Sequence, residues 1–141
     1  MLTQFKKHDI YCNVHPFKET AILLGQDSDT PDLRYINASR IKSVYDEPAE
    51  DNLMIAAQGP IMYTTRNFWK LIHQERVGMV LQNTTPGDCA KYYPEVVGET
   101  ECYGDMCVEL LKAEQRSVFV TQRQFRVLEV SIEQVTNTKR E

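Results

Sequence analysis

The stretch LMIAAQGPIMYTTRNFWKLIHQERVGMVLQ, residues 53–82, constrains the fold of this chain more than any other segment. Its first six residues read as a short buried strand. Gly59-Pro60 closes that strand, because proline cannot donate to a ladder and glycine permits the turn. Thr64 or Thr65 is then placed to cap a helix, its hydroxyl satisfying a free backbone N–H of the first turn. RNFWKLIHQER carries Phe68, Trp69, Leu71 and Ile72 on one helical face, which leaves Arg66, Lys70 and Glu75 for solvent. VGMVLQ is a continuous apolar run of strand length, as expected of a strand buried on both faces. Strand, helix and strand in that order predict a βαβ unit, hence an α/β fold with a partly parallel sheet and a flanking helix.

Further elements surround this unit. ETAILLGQD predicts a strand over Thr20 to Leu24, closed by a turn at Gly25. A second strand is predicted through Tyr35, Ile36, Asn37 and Ala38. MCVELLKA and SVFVTQRQFRVLEV read as an antiparallel hairpin joined by EQR, although VELLKAEQ is also compatible with a short helix by propensity alone. Asn37 and Gln58 are polar residues inside apolar runs, so their side chains are expected to hydrogen-bond to neighbouring backbone. Phe68 and Trp69 are expected to anchor the helix on the sheet.

Composition narrows the function classes. The 141 residues suit one domain, residues 1–141, and 42% apolar with 26% charged residues is ordinary for a globular protein. The net charge of −4, with acids and bases interspersed, offers no basic stripe for nucleic acid or for an anionic membrane. No apolar run approaches the ~20 residues of a spanning helix, and MLTQFKKHD has no signal-peptide pattern. An intracellular, cytoplasmic and reducing location is therefore expected, with Cys12, Cys89, Cys102 and Cys107 as free thiols. His8, His15 and His73 share no ligand spacing, and Cys102 and Cys107 are not a Cys-x-x-Cys unit, so no metal or cofactor is expected. Asp88 and Asp105 read as solvated or capping residues.

Five segments, taken in order, resemble the protein tyrosine phosphatase family. They are YCNVHPFKETAILL, RYINASRI, MIAAQGPIMYTTRNFWKLI, CAKYYP and YGDMCVELL with VFVTQRQFRVLEV. Within CAKYYP, Tyr93 stands where the family has Trp. The resemblance runs along nearly the whole chain and matches the N-terminal half of that family's catalytic domain. It implies a partial phosphatase-like mixed sheet with a flanking helix, the C-terminal half of the domain being absent.

The same resemblance implies a chemistry that the chain does not carry. The family's nucleophile is the cysteine of His-Cys-x5-Arg, its pKa lowered and the phosphoryl charge stabilised by a loop of backbone N–H groups. Six positions after Cys12, Cys89, Cys102 and Cys107 stand Lys18, Glu95, Val108 and Ala113, and no cysteine follows a histidine. The general acid of the family's Trp-Pro-Asp loop is missing too, since Trp69 is followed by Lys70. No catalytic residue is therefore assigned. By resemblance, Tyr11 corresponds to the aromatic that stacks on the phosphotyrosine ring, and Asn13 to a residue that hydrogen-bonds the peptide backbone. Ile10 and Ala21 replace arginines of the family pattern, and NTTPGDC is shorter than its equivalent. Phosphotyrosine proteins, or partners of intact phosphatases, are the expected partners. The chain stops after Thr138-Lys139-Arg140-Glu141, where the family pattern leads into another strand, so a truncated copy, viral or duplicated, or an incomplete product is expected.

Overall fold

The structure is a computed structural model that describes residues 8–11, 13–25, 34–41, 54–84 and 87–130. Among the described residues the elements in chain order are β1 (Ala21–Leu23), β2 (Tyr35–Ile41), β3 (Met54–Ala57), α1 (Thr65–Gln74), β4 (Thr100–Tyr103), β5 (Met106–Gln115) and β6 (Thr121–Glu129). They form two three-stranded sheets, β1-β2-β3 and β4-β5-β6. Among the described residues every pairing is antiparallel.

The helix joins the two sheets. Phe68, Trp69, Leu71 and Ile72 are all buried, as their spacing predicts. They meet Ile22, Leu24, Ile36 and Ala38 from the first sheet and Met106 and Val108 from the second. Fully burying side chains of this size contributes about 1.5–3 kcal/mol each, so this one cluster organises the chain. Trp69 also finds a partner for its polar atom, donating Nε1–H to the carbonyl of Tyr92 at 2.6 Å. Buried Asn67 donates through Nδ2 to the carbonyl of Tyr35 at 2.8 Å, which ties the helix to the start of β2.

The α/β class with a flanking helix stands, as do the β5–β6 hairpin and the strand reading of VELLKAEQ. Several details differ from expectation. VGMVLQ forms no strand: residues 77–84 enter no ladder, and Met79 and Leu81 are 84% and 88% exposed. An apolar run becomes a buried strand only when neighbouring chains complete its hydrogen bonds and cover its faces, and the described residues supply neither. The predicted parallel pairing is accordingly not present among them.

The helix start differs as well. Thr64 occupies the N-cap, but its side chain caps no helical N–H. Its hydroxyl instead accepts from the N–H of Ile61 at 3.0 Å, and the Thr65 hydroxyl donates to the Ile61 carbonyl at 3.1 Å. Both hydroxyls thus close the turn before the helix.

Arg66, Lys70 and Glu75 are not simply solvated. Arg66 forms a two-pronged ion pair with Asp105, Nε to Oδ1 at 2.6 Å and Nη2 to Oδ2 at 2.7 Å. Lys70 pairs with Glu129, and Glu75 with Arg40 at 2.6 Å. The reason is geometric: both sheets flank the helix, so its polar edge meets their polar edges. Asp105 is correspondingly an ion-pair partner in the β4–β5 turn rather than a solvated or capping residue.

The cysteines supply the remaining correction. Cys102 and Cys107 are joined in a disulfide, whereas Cys89 is a free thiol and Cys12 lies outside the described residues. Sequence separation conceals the pairing. The tight turn at Gly104-Asp105 sets the two cysteines directly opposite each other across β4 and β5, with their Cα atoms 4.1 Å apart.

Candidate functional site

Residues 8–11 and 13–17 lie outside the strands of the first sheet, and polar residues of the apolar runs hold them there. Gln58 follows β3 and uses both ends of its amide. Its Oε1 accepts from the N–H of Ile10 at 2.8 Å, and its Nε2 donates to the carbonyl of His8 at 3.0 Å. Asn37 of β2 donates through Nδ2 to the carbonyl of Val14 at 2.8 Å. The expectation that both side chains serve neighbouring backbone is met, and the backbone they serve is that of the candidate site. Gln58 is itself aligned by its own N–H, which donates to the Asn37 carbonyl at 2.9 Å.

A buried carboxylate makes the third anchor. Asp9 accepts from the Tyr35 hydroxyl at 2.9 and 3.0 Å and meets His15 Nδ1 at 2.8 Å. The Asp9 side chain is wholly buried, while that of His15 is 25% exposed. Burial, and then the hydrogen bond to Asp9, push the Tyr35 phenol well above its ordinary pKa, so it remains a hydrogen-bond donor through the physiological range. Nothing in the spacing of Asp9, His15 and Tyr35 marks them as a unit. Only the fold brings them together.

These anchors display a turn. The N–H of Val14 donates to the carbonyl of Tyr11 at 3.2 Å, and both Tyr11 and Asn13 point outward, with Tyr11 65% exposed. Chemically, an exposed phenol can stack on another aromatic ring, typically for ~0.5–1.5 kcal/mol. An exposed amide can both donate to and accept from a peptide backbone. The two residues named from sequence therefore share one exposed turn.

A second feature borders the end of β3. A cleft of about 850 Å³ separates Ile55, Gln58 and Gly59 from Phe68, Ile72, Val77, Leu81 and Tyr92. Its polar wall is built around Gln82, which accepts from the Tyr92 hydroxyl at 2.8 Å and donates to Thr84 Oγ1 at 2.9 Å. Burial, with Tyr93 and Cys89 nearby, pushes the Tyr92 phenol up to about 12, so it acts as a neutral donor. Cys89 lies here as well, 3.5 Å from Gln82 Nε2. It packs against Gly59 so closely that a Cβ at position 59 would come within 3.1 Å of the Cys89 Cβ. A side chain at position 59 would therefore require Cys89 to shift by a few tenths of an ångström.

Among the described residues, neither feature brings together the cysteine, backbone cradle and arginine of phosphoryl transfer. Cys102 and Cys107 share a disulfide, so neither offers a thiolate. Cys89 lies in a loop and is not followed by the backbone cradle and arginine that phosphoryl transfer requires. Among the described residues, no three His, Cys, Asp or Glu side chains are grouped to hold a metal ion. No described helix is long and apolar enough to cross a membrane.

A sequence model of the family described as Protein-tyrosine phosphatase matches residues 6–140. The chain belongs to that family. Among its relatives, Tyrosine-protein phosphatase non-receptor type 7 of Homo sapiens is 30% identical over 106 residues, which are 72% of this chain and 28% of the relative. Tyrosine-protein phosphatase non-receptor type ptp-2 of Caenorhabditis elegans is 29% identical, over 68% of this chain and 16% of the relative. Receptor-type tyrosine-protein phosphatase C of Mus musculus is 36% identical, over 61% and 6% respectively. The phosphatase-like chain thus spans less than a third of the length of each of these relatives.

Proposed function

We propose that these 141 residues form the N-terminal part of a tyrosine-phosphatase-like domain, catalytically silent by themselves, and keep part of a peptide-recognition surface. The observation that carries the reading is the absence of His-Cys-x5-Arg and of Trp-Pro-Asp anywhere in the chain. Without the thiolate there is no covalent route, and a missing general acid alone typically costs ~10²–10⁴ in rate. The exposed turn with Tyr11 and Asn13 supports a residual role in binding phosphotyrosine proteins or the partners of intact phosphatases.

Hydrolysis of an aryl phosphate by the purified chain tests the first half of this reading. No turnover above background is expected. Turnover that disappears when Cys12 or Cys89 is replaced by serine would overturn it. Binding of a phosphotyrosine peptide and of its unphosphorylated twin tests the second half. Preference for the phosphorylated peptide, weakened by Tyr11→Ala, is expected; equal binding would remove the phosphate-specific role.

A second reading is favoured by the exposed Met79 and Leu81 beside the open cleft, together with the short span of the match to the relatives. In it, the chain is the N-terminal piece of an active phosphatase that hydrolyses phosphotyrosine through a cysteinyl-phosphate. Reading the nucleic acid downstream of the Glu141 codon decides between the two. Trp-Pro-Asp and His-Cys-x5-Arg in frame would establish the second reading and end the first.

A further inference from the structure

We infer that Cys102 and Cys107 form a redox-sensitive latch that locks the β4–β5 turn and, through it, the start of the helix. β4 has only four residues and lies at the edge of its sheet, so one ladder and the disulfide hold it to β5. The closed loop contains just Tyr103, Gly104, Asp105 and Met106 between the cysteines. Gly104 turns with φ of +66°, a conformation that favours glycine, and Arg66 lies against its backbone, its Cδ 3.2 Å from where a Cβ would stand.

Next in the turn, Asp105 takes the two-pronged bond from Arg66, and its carbonyl accepts from the N–H of Val130 at 2.8 Å. Arg66 reaches Asn67 Oδ1 at 3.3 Å, and Asn67 holds the carbonyl of Tyr35. The disulfide therefore clamps the one turn on which the first turn of α1 and the end of β6 both converge.

The two cysteines differ in exposure. Cys102 is exposed, whereas Cys107 is 9% exposed. A small thiolate such as glutathione attacks the Cys102 sulfur, breaking the disulfide and releasing the Cys107 thiolate, which takes a proton from water. A second glutathione thiolate then attacks the mixed disulfide, forming oxidised glutathione and freeing Cys102. Two electrons pass from two thiols to one disulfide, and oxidised glutathione drives the reverse reaction.

The test poises the full chain in glutathione buffers from fully reduced to fully oxidised, traps thiols by alkylation in acid, and reads amide exchange in parallel. The 102–107 crosslink is expected to open within that range. Exchange is expected to quicken by roughly tenfold or more at residues 100–109 and in the first turn of α1, while β3 is unchanged. A C102S/C107S variant should match the reduced chain and ignore glutathione. A pair that never changes state would overturn the proposal. So would opening without faster exchange, or exchange that quickens throughout the molecule, which would mark a general staple. A glutathione response surviving in the double variant would assign the effect to Cys12 or Cys89 and equally overturn it.

Discussion

Single side chains do much of the positioning in this protein, and Gln58 shows how. Its amide satisfies one donor and one acceptor on a segment about fifty positions earlier, so truncating it strands both. Gln58→Ala is expected to cost about 0.5–1.5 kcal/mol, the usual net contribution of a hydrogen bond whose partners water can reach. Under the proposed recognition role, weaker peptide binding at the Tyr11 turn should accompany it, with the folded core retained; urea unfolding and peptide titration would show the two effects separately. Asp105 makes a pH prediction. Burial raises its carboxyl pKa, but the Arg66 hydrogen bonds and charge outweigh burial and hold it below the ordinary value. A depressed carboxyl contributes stability above its unfolded pKa, about 3.9, and loses it as pH falls through the lower folded value. The difference in thermal midpoint between the native chain and Asp105→Asn should therefore be constant above about pH 5 and shrink as pH falls below the ordinary carboxyl range.

At the scale of elements, the helix carries the fold and its residues announced it. Phe68, Trp69, Leu71 and Ile72 are legible as a buried face because helical periodicity is local, set by 3.6 residues per turn whatever surrounds the helix. Trp69 is 3% exposed, packs edge-on against Phe68 and Phe125, and donates to the Tyr92 carbonyl. Trp69→Ala should cost about 3–5 kcal/mol. Against a typical total of about 5–15 kcal/mol, that would shift the urea midpoint sharply downward or leave no cooperative transition. The β5–β6 hairpin was legible for a similar reason, since both strands are long and adjacent in sequence. VGMVLQ was not. Its apolar run states a preference for burial, but pairing depends on neighbours that its own sequence does not specify. The ion pairs of Arg66, Lys70 and Glu75 were invisible for the same reason, their partners lying 39, 59 and 35 positions away.

Across the described residues, large apolar side chains stand exposed in more than one place. Met79 and Leu81 stand open beside the cleft, and Val118 and Phe119 are 87% and 94% exposed at the β5–β6 turn. Patches of this kind promote association. Sedimentation at rising concentration should show reversible self-association, and Met79→Ser with Leu81→Ser should reduce it; a strictly monomeric native chain would refute this. Taken by itself, the sequence determined the family, the buried helical face, most strands and the absence of a phosphoryl-transfer motif, because these reside in local periodicity and in residue identity at short spacing. Tertiary structure alone decided that Asn37 and Gln58 hold the Tyr11–Asn13 turn and that Asp9, His15 and Tyr35 meet. It also decided that Cys102 faces Cys107 and that VGMVLQ stays uncovered. Each of these is a question of which chain lies opposite which, and no residue carries its partner's position in its own side chain.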